Sequence, residues 1–484
     1  MRKLLVLSIL LPGFAFSQGY YSPLTNQGID HTTLPSATSR ALGGTSFGIS
    51  GDPGTMFQNP ASLLSIGSIQ LSIGAHQRYT NYDQEQHYAP LKYYSNFSLL
   101  MEGLTGYIPD PDTSLIGRNP GDTVQRPFDT IGPNWSRSKN KGLPLQAMLA
   151  VPFTLGESKW VAGAGAVEYA DLAHYYQNNN VLDPSVLSNR PIPMQRPPTD
   201  SLPIITEWSQ FARSREGTIK GYGGALSTGL TEELTLGMSA MFLKGSSDDL
   251  EQRVARGRLT FFTNYFRLDS VHGQTTTIGK SDFKAIEYTL SGTYRSRNAI
   301  FGFSVKPPMS MKRTFESETT SDTSGSVTTT KSSGVEWTKL PWRGTIGLAI
   351  LPIEKLLIGL EYEIRPYESV VYISPSGGET NPWFSASLFH VGLQYTATEW
   401  LALRFGVRGQ VEVFEPEGVP IENDPVGSTV YSGGAGFSYA GFRLNFAYEY
   451  SSVKYQDTWG SAISLNNITT SRVVADISYG FNGF

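Results

Sequence analysis

From residue 217 to the C-terminus, short turns and long polar loops alternate between segments that read apolar-polar-apolar-polar. Two segments make the pattern plain. In 356–365, Ile358, Leu360, Tyr362 and Ile364 share one face, and Gly359, Glu361, Glu363 and Arg365 share the other. In 401–413, Leu401, Leu403, Phe405, Val407, Val411 and Val413 lie opposite Arg404, Arg408, Gln410 and Glu412. Successive side chains of a strand point to opposite faces. In a soluble sandwich the apolar face would meet a second sheet. Tight turns alternating with long loops fit an antiparallel transmembrane barrel instead, with the apolar face toward lipid and the polar face toward the lumen.

Composition agrees with export. The chain has 484 residues and no cysteine, with 50 Gly, 25 Tyr and 25 Phe. No apolar run reaches the roughly 20 residues that a spanning helix needs. At the N-terminus Arg2 and Lys3 precede the apolar run 4–16, and Ala15 and Ser17 supply small residues for cleavage after Ser17. Residues 1–17 therefore read as a secretory signal peptide. Its loss moves the formal charge from −4 to −6. Nucleic-acid binding, which needs a basic face, is not indicated. Without disulfides the fold rests on ladders and packing, and closing a barrel pairs every strand edge.

Fourteen strands are expected, near 68–79, 144–153, 160–170, 217–230, 234–243, 282–296, 299–306, 342–351, 355–366, 386–396, 400–413, 429–439, 442–455 and 471–481. Every second link is short: 155–158, 231–233, 296–298, 352–354, 397–399 and 440–441. Short turns face the periplasm in such barrels, and long loops face outside. Residues 102–143 and 183–203 are Pro-rich loops, and 316–334, almost all Ser, Thr, Gly and acid, reads as a mobile loop. Trp160, Trp337, Trp342, Trp383, Trp400 and Trp459 near strand ends fit interfacial girdles. On the last strand Val473, Ala475, Ile477, Tyr479 and Phe481 form the apolar face. The terminal Phe484 is out of register with it, so either the strand ends at Phe481 or a bulge intervenes.

Residues 18–67 show no strand pattern. They hold Gly, Ser, Thr and Pro in turn-like clusters, with enough apolar side chains to argue against a free tail. A plug inside a barrel satisfies both observations. The block 40–63 contains Arg40-Ala41-Leu42-Gly43-Gly44, then Asp52, then Asn59-Pro60-Ala61. This block resembles the N-terminal hatch of the FadL family of outer-membrane transporters for long-chain fatty acids and other hydrophobic compounds. The resemblance covers the whole chain as architecture and residues 40–61 as motif. It implies residues 18–67 as the hatch and 68–484 as a fourteen-stranded barrel. It also implies the outer membrane of a diderm bacterium, the barrel-assembly machinery as a partner in biogenesis, and a monomer. Within the hatch, Asn59 is expected to bond neighbouring backbone while Pro60 fixes the turn.

No catalytic constellation appears. The six histidines, His31, His76, His87, His174, His272 and His390, show no metal spacing. There is no serine elbow, phosphate loop or HExxH. Glu361 and Glu363 share a face as glycosidase carboxylates might, but interleaved Arg and Glu on neighbouring strands read as a neutralised wall. No cofactor is called for. A fatty acid would need an apolar pocket and a cation for its carboxylate. Phe47, Met56, Phe57 and Leu63 are the candidates for the first, and Arg404, Arg408 and Arg443 for the second. In the family a kink in the third strand opens the wall sideways. Here Gly163 and Gly165 of that strand are the candidate lateral exit, or else small residues that make room for the hatch. The reading is transport of hydrophobic small molecules by facilitated diffusion. The alternative, from another class, is a barrel serving as shuttle or anchor in a protein secretion system. A continuous apolar path from the loops to the third strand would separate the two.

Overall fold

A computed structural model describes residues 28–88, 131–183, 199–263, 266–269, 271–323, 325–381, 383–413, 426–459 and 462–481. The expected signal peptide, Phe484 and most of the long loops lie outside these residues. Fourteen antiparallel strands form the wall. They are β1 (Ile69–Tyr88), β2 (Trp135–Leu155), β3 (Ser158–Asp171), β4 (Ile204–Gly229), β5 (Leu234–Phe261), β6 (Gly273–Arg295) and β7 (Ala299–Lys306). The circle continues with β8 (Arg343–Ile353), β9 (Leu356–Ile364), β10 (Leu388–Thr398), β11 (Leu401–Val411), β12 (Gly427–Tyr439), β13 (Phe442–Trp459) and β14 (Ala462–Phe481). Each strand pairs with its neighbours, and β1 pairs with β14 from Ile69–Phe481 to Tyr88–Ala462, so the sheet closes. All fourteen expected strands are present.

The two faces sort as the alternation demands. Phe405 is 60% exposed and Tyr362 is 43% exposed, whereas Arg404 and Glu361 between them are buried. Ile73, Ile286, Phe301, Ile346 and Phe389 continue the exposed apolar face around the barrel. This is the belt that a bilayer covers. Trp337, Trp342 and Trp400 stand exposed near strand ends. Trp383 does not join them. It is buried against Tyr367, ring centroids 5.2 Å apart. The Trp459 side chain lies outside the described ones. The last strand ends at Phe481, exposed beside Tyr479, and runs without a register shift against β1.

The strands run further than the sequence indicates. β4 begins at Ile204 rather than near 217, and β5 reaches Phe261 rather than 243. Only about 9–11 residues cross a bilayer. Beyond that band no lipid demands an apolar outer face, so the alternation fades while the ladder continues. Residues 316–334 belong to such an extension, a hairpin of Met309–Thr323 and Ser326–Leu340. Its tip is set by Gly325 at φ 88°, whose N–H donates to Asp322 Oδ1 at 3.1 Å. β-Branched Thr and Val suit a strand even without alternation.

Candidate functional site

Residues 28–67 pack against the inward-facing side chains of the wall. Ser36 starts a short helix, Ala37–Ala41. Its Oγ accepts from Ser39 N–H at 3.0 Å and donates to Asp52 Oδ2 at 2.5 Å. Gly43 and Gly44 end the helix at φ 65° and 89°, a conformation that costs glycine nothing. Asp52 caps a 3-10 turn at Pro53–Thr55 by accepting from Gly54 N–H at 2.8 Å. A second 3-10 turn spans Pro60–Ser65.

Two kinds of wall group hold this segment. Buried carboxylates take its N–H groups and its cation. Ala37 N–H donates to Asp476 Oδ2 at 2.8 Å, and Phe47 N–H donates to Glu361 Oε1 at 2.8 Å, as does Ser46 N–H. Arg40 Nη1 donates to Glu449 Oε2 at 2.5 Å. Elsewhere hydroxyls do the work. Ser291 Oγ accepts from Ala61 N–H at 2.8 Å, while Ser227, Thr289 and Ser304 donate to the carbonyls of Ala61, Phe57 and Gln58. These bonds satisfy buried polar groups on both the segment and the wall. Asn59 departs from its expected role. It is fully buried, and its side chain makes no hydrogen bond among the described residues, so Pro60 begins the turn without it.

The structure separates the candidate residues into four places. Phe47 is buried as a wedge against Gly302 and Gly347. Met56 and Leu63 pack on Gly163, which makes room for them: a Cβ there would meet Met56 Cε at 3.1 Å. Arg404 and Arg443 lie together beside a cavity of about 310 Å³ at the short-turn end. Arg404 bonds Gln394 and Asn445, and Arg443 donates to Gly51 O at 2.7 Å. Arg408 is elsewhere, bonded to Glu449 at 2.5 Å, between cavities of about 220 and 150 Å³ on the far side of the segment. Phe57 lines the smaller of these. Gly163 and Gly165 sit in ladders that are unbroken on both sides. The register shift in β3 comes later, between Glu168 and Ala170. Glu361 and Glu363 both line the 150 Å³ cavity, each with its own partner. Glu361 serves the segment, and Glu363 accepts from Arg365 at 2.8 Å.

The 150 Å³ cavity has a mixed lining: Phe57, Val167, Tyr169 and Met241, the carboxylates Glu168, Glu361 and Glu363, and the cations Arg40, Lys306, Arg343, Arg365, Arg408 and Arg472. Of these cations Arg40, Arg365 and Arg408 drew attention in the sequence, Arg40 as part of the motif in the N-terminal block. Lys306 reaches Glu287 Oε1 at 2.6 Å, and Arg343 also binds Glu287. The missed cations, Lys306, Arg343 and Arg472, come from three different strands, so only closure of the barrel assembles them. Buried apolar residues continue from Met56, Phe57 and Leu63 through Met241, Leu243, Phe283 and Met311 to Tyr367, Val370 and Trp383 near the long-loop end.

Charge inside the lumen is set by neighbours. Burial works against a charged His31, but the carboxylates of Asp30 and Glu412 outweigh it and hold the imidazolium up to about 10. His31 Nε2 lies 3.3 Å from Glu412 Oε2.

No family model matches the chain, and no curated protein matches it. Solved structures do. The toluene transporter TodX of P. putida shares 15% identity at a TM-score of 0.53, over 93% of this chain and 100% of that one. A FadL homologue of Pseudomonas aeruginosa shares 12% identity at a TM-score of 0.56, over 94% of this chain and 100% of that one. At such low identity the likeness concerns the fold, and the fold of this chain is that of the FadL-type barrels.

Proposed function

We propose that this chain resides in the outer membrane of a diderm bacterium and lets hydrophobic small molecules enter by facilitated diffusion. Residues 1–17 are its leader, 18–67 its hatch and 68–484 its barrel. It acts as a single copy after insertion by the barrel-assembly machinery. The observation that carries this reading is the contiguous apolar cluster from Trp383 and Val370 at the long-loop end to Val167, Tyr169 and Ala170 of β3. These side chains pack on one another, and where they part they would give a hydrocarbon chain favourable contacts. The cluster adjoins the 150 Å³ cavity, where Arg40 Nη2 is buried without a hydrogen-bond partner among the described residues, although Arg40, Lys306, Arg343, Arg365, Arg408 and Arg472 each pair with a carboxylate. An N–H left over beside apolar groups suits an amphiphile with a carboxylate head. TodX, named for toluene transport, has the same fold and lends weight to hydrophobic cargo. The exit proposed is sideways through β3, beyond Val167, where that strand parts from β2. A secretion-system shuttle would need no apolar path between loops and β3.

The experiment is uptake of a radiolabelled long-chain fatty acid and of a labelled alkane by cells with and without the protein. Mass spectrometry of lipids that co-purify in detergent accompanies it. Uptake of neither, with no bound lipid, would remove the transport reading and favour the secretion partner.

A further inference from the structure

Four lysines stand side by side on the outer face of the wall. Lys220 of β4 pairs in register with Lys244 of β5, Lys244 with Lys284 of β6, and Lys284 with Lys312 of the hairpin strand Met309–Thr323. Lys220, Lys244 and Lys284 are exposed, and Lys312 is half-buried opposite Trp337. On β4, β5 and β6 the lysine is the first outward residue beyond the apolar run. Tyr222, Phe242 and Ile286 form the next row toward the short turns, themselves in register and exposed. The lysines therefore mark the edge of the lipid belt on the long-loop side, and the exposed Trp337 ends the row as an interfacial aromatic.

Such a row works against the fold. Like charges directly opposite one another on neighbouring strands repel. None of the four lysines makes an ion pair or a side-chain hydrogen bond among the described residues. Glu168, which pairs with Lys220 in register on β3, turns inward to His76. The row beyond holds Thr218, Ser246 and Thr314 and a single carboxylate, Asp282. One row further out the charges alternate instead. Asp248 and Glu316 flank Lys280, and Lys139 Nζ donates to Glu216 Oε1 at 2.9 Å. The unrelieved positive charge is thus confined to the edge of the belt.

We propose that this row binds the phosphates of an outer-leaflet glycolipid, whose acyl chains lie on Tyr222, Phe242 and Ile286. The ammonium of lysine is a compact point charge suited to phosphate. Four strands about 4.8 Å apart give a row of roughly 14 Å, long enough for a disaccharide headgroup phosphorylated at both ends. A free anion would account for the charges but not for their place directly above the apolar row. The lipid relieves the repulsion among the lysines, and the lysines hold the lipid against the wall. Assignment to the outer leaflet rests on the outer-membrane placement proposed above.

The test uses the full barrel in neutral detergent, with lipid A, a bisphosphorylated and acylated disaccharide, as the probe. Native mass spectrometry measures binding, and loss of the compact band on unboiled gels gives the thermal midpoint. The double variant Lys244→Gln/Lys284→Gln and the quadruple variant that adds Lys220→Gln and Lys312→Gln are compared with Lys280→Gln. In detergent alone the double variant should melt above the wild type, because like charges are gone. With lipid A the order should reverse, since a ligand stabilises the fold that binds it. The quadruple variant should bind lipid A at least about tenfold more weakly, the double variant should fall between, and Lys280→Gln should match the wild type. The double variant carries the comparison if the quadruple one gives no compact band. Unchanged affinity in the double variant, or equal binding of lipid A stripped of its phosphates, would overturn the phosphate row. Equal stabilisation by inorganic phosphate would overturn a lipid as its ligand. Binding of lipid A together with a Val327→Cys variant that an impermeant reagent cannot label on intact cells would instead overturn the placement on which the outer-leaflet assignment rests.

Discussion

Gly302 and Gly347 face each other across β7 and β8, and the ring of Phe47 fills the notch that their missing side chains leave. A Cβ on either glycine would run into that ring. The notch and the wedge come from distant parts of the chain, so neither is interpretable alone. Gly302→Ala should force the ring out at a cost of about 1–3 kcal/mol, the usual range for overpacking. Protease should then cut the segment faster in detergent, and single-channel current should rise. Adding Phe47→Ala should relieve the clash and restore part of the protection. Deleting residues 40–63 should leave a folded barrel, because the wall ladders do not use them, and should abolish selective uptake.

The lipid face can be tested against the lumen face at adjacent positions. Leu403→Arg or Leu360→Arg should cost roughly 2–4 kcal/mol near the bilayer midplane. Glu361→Gln keeps the oxygen that Phe47 N–H uses and should cost much less. Folding titrations in lipid vesicles measure both. Equal tolerance of the two classes would reverse the assignment of faces.

Orientation follows from the turns. A cysteine at Thr231, in a short turn, should resist an impermeant thiol reagent on intact cells. A cysteine at Val327, in the long hairpin, should react. The opposite pattern would invert the barrel.

His31 makes stability depend on pH in a defined direction. Its imidazolium is held up to about 10 in the folded chain by Asp30 and Glu412, against about 6.5 when unfolded. The raised value means that the folded state binds the extra proton. The ion pairs therefore contribute fully below about pH 6.5 and are lost as pH rises toward 10. The thermal midpoint of His31→Gln should fall below that of the wild type at pH 6, and the gap should close progressively by pH 10. A constant gap would exclude the ion pair as its source.

One turn carries avoidable strain. Ala440 sits at φ 47°, followed by Gly441 at φ 85°, in the link between β12 and β13. Such a two-residue turn favours Asn-Gly. Ala440→Asn should stabilise the barrel by up to about 1 kcal/mol, read as a higher temperature for loss of the compact band on unboiled gels.

The sequence by itself determined the number of strands, their order, the side each residue faces and the position of every short turn. Those follow from period-two alternation and turn composition, which are local properties. Phe405 and Arg404 were legible because one side chain faces out and its neighbour faces in. The N-terminal block was legible as a non-strand with too many apolar residues to stay in water. Tertiary structure decided the rest. Arg408 and Arg404, four residues apart on one strand, line different cavities because the segment runs between them. Arg40, Lys306, Arg343 and Arg472 share a cavity although no spacing links them. Asn59 looked like a turn former, and its buried side chain makes no hydrogen bond among the described residues. Gly163 looked like a weak point and is a seat for Met56, whereas β3 parts from β2 only beyond Val167. Contacts between residues more than a hundred positions apart depend on closure of the barrel around the segment, and no local pattern encodes them.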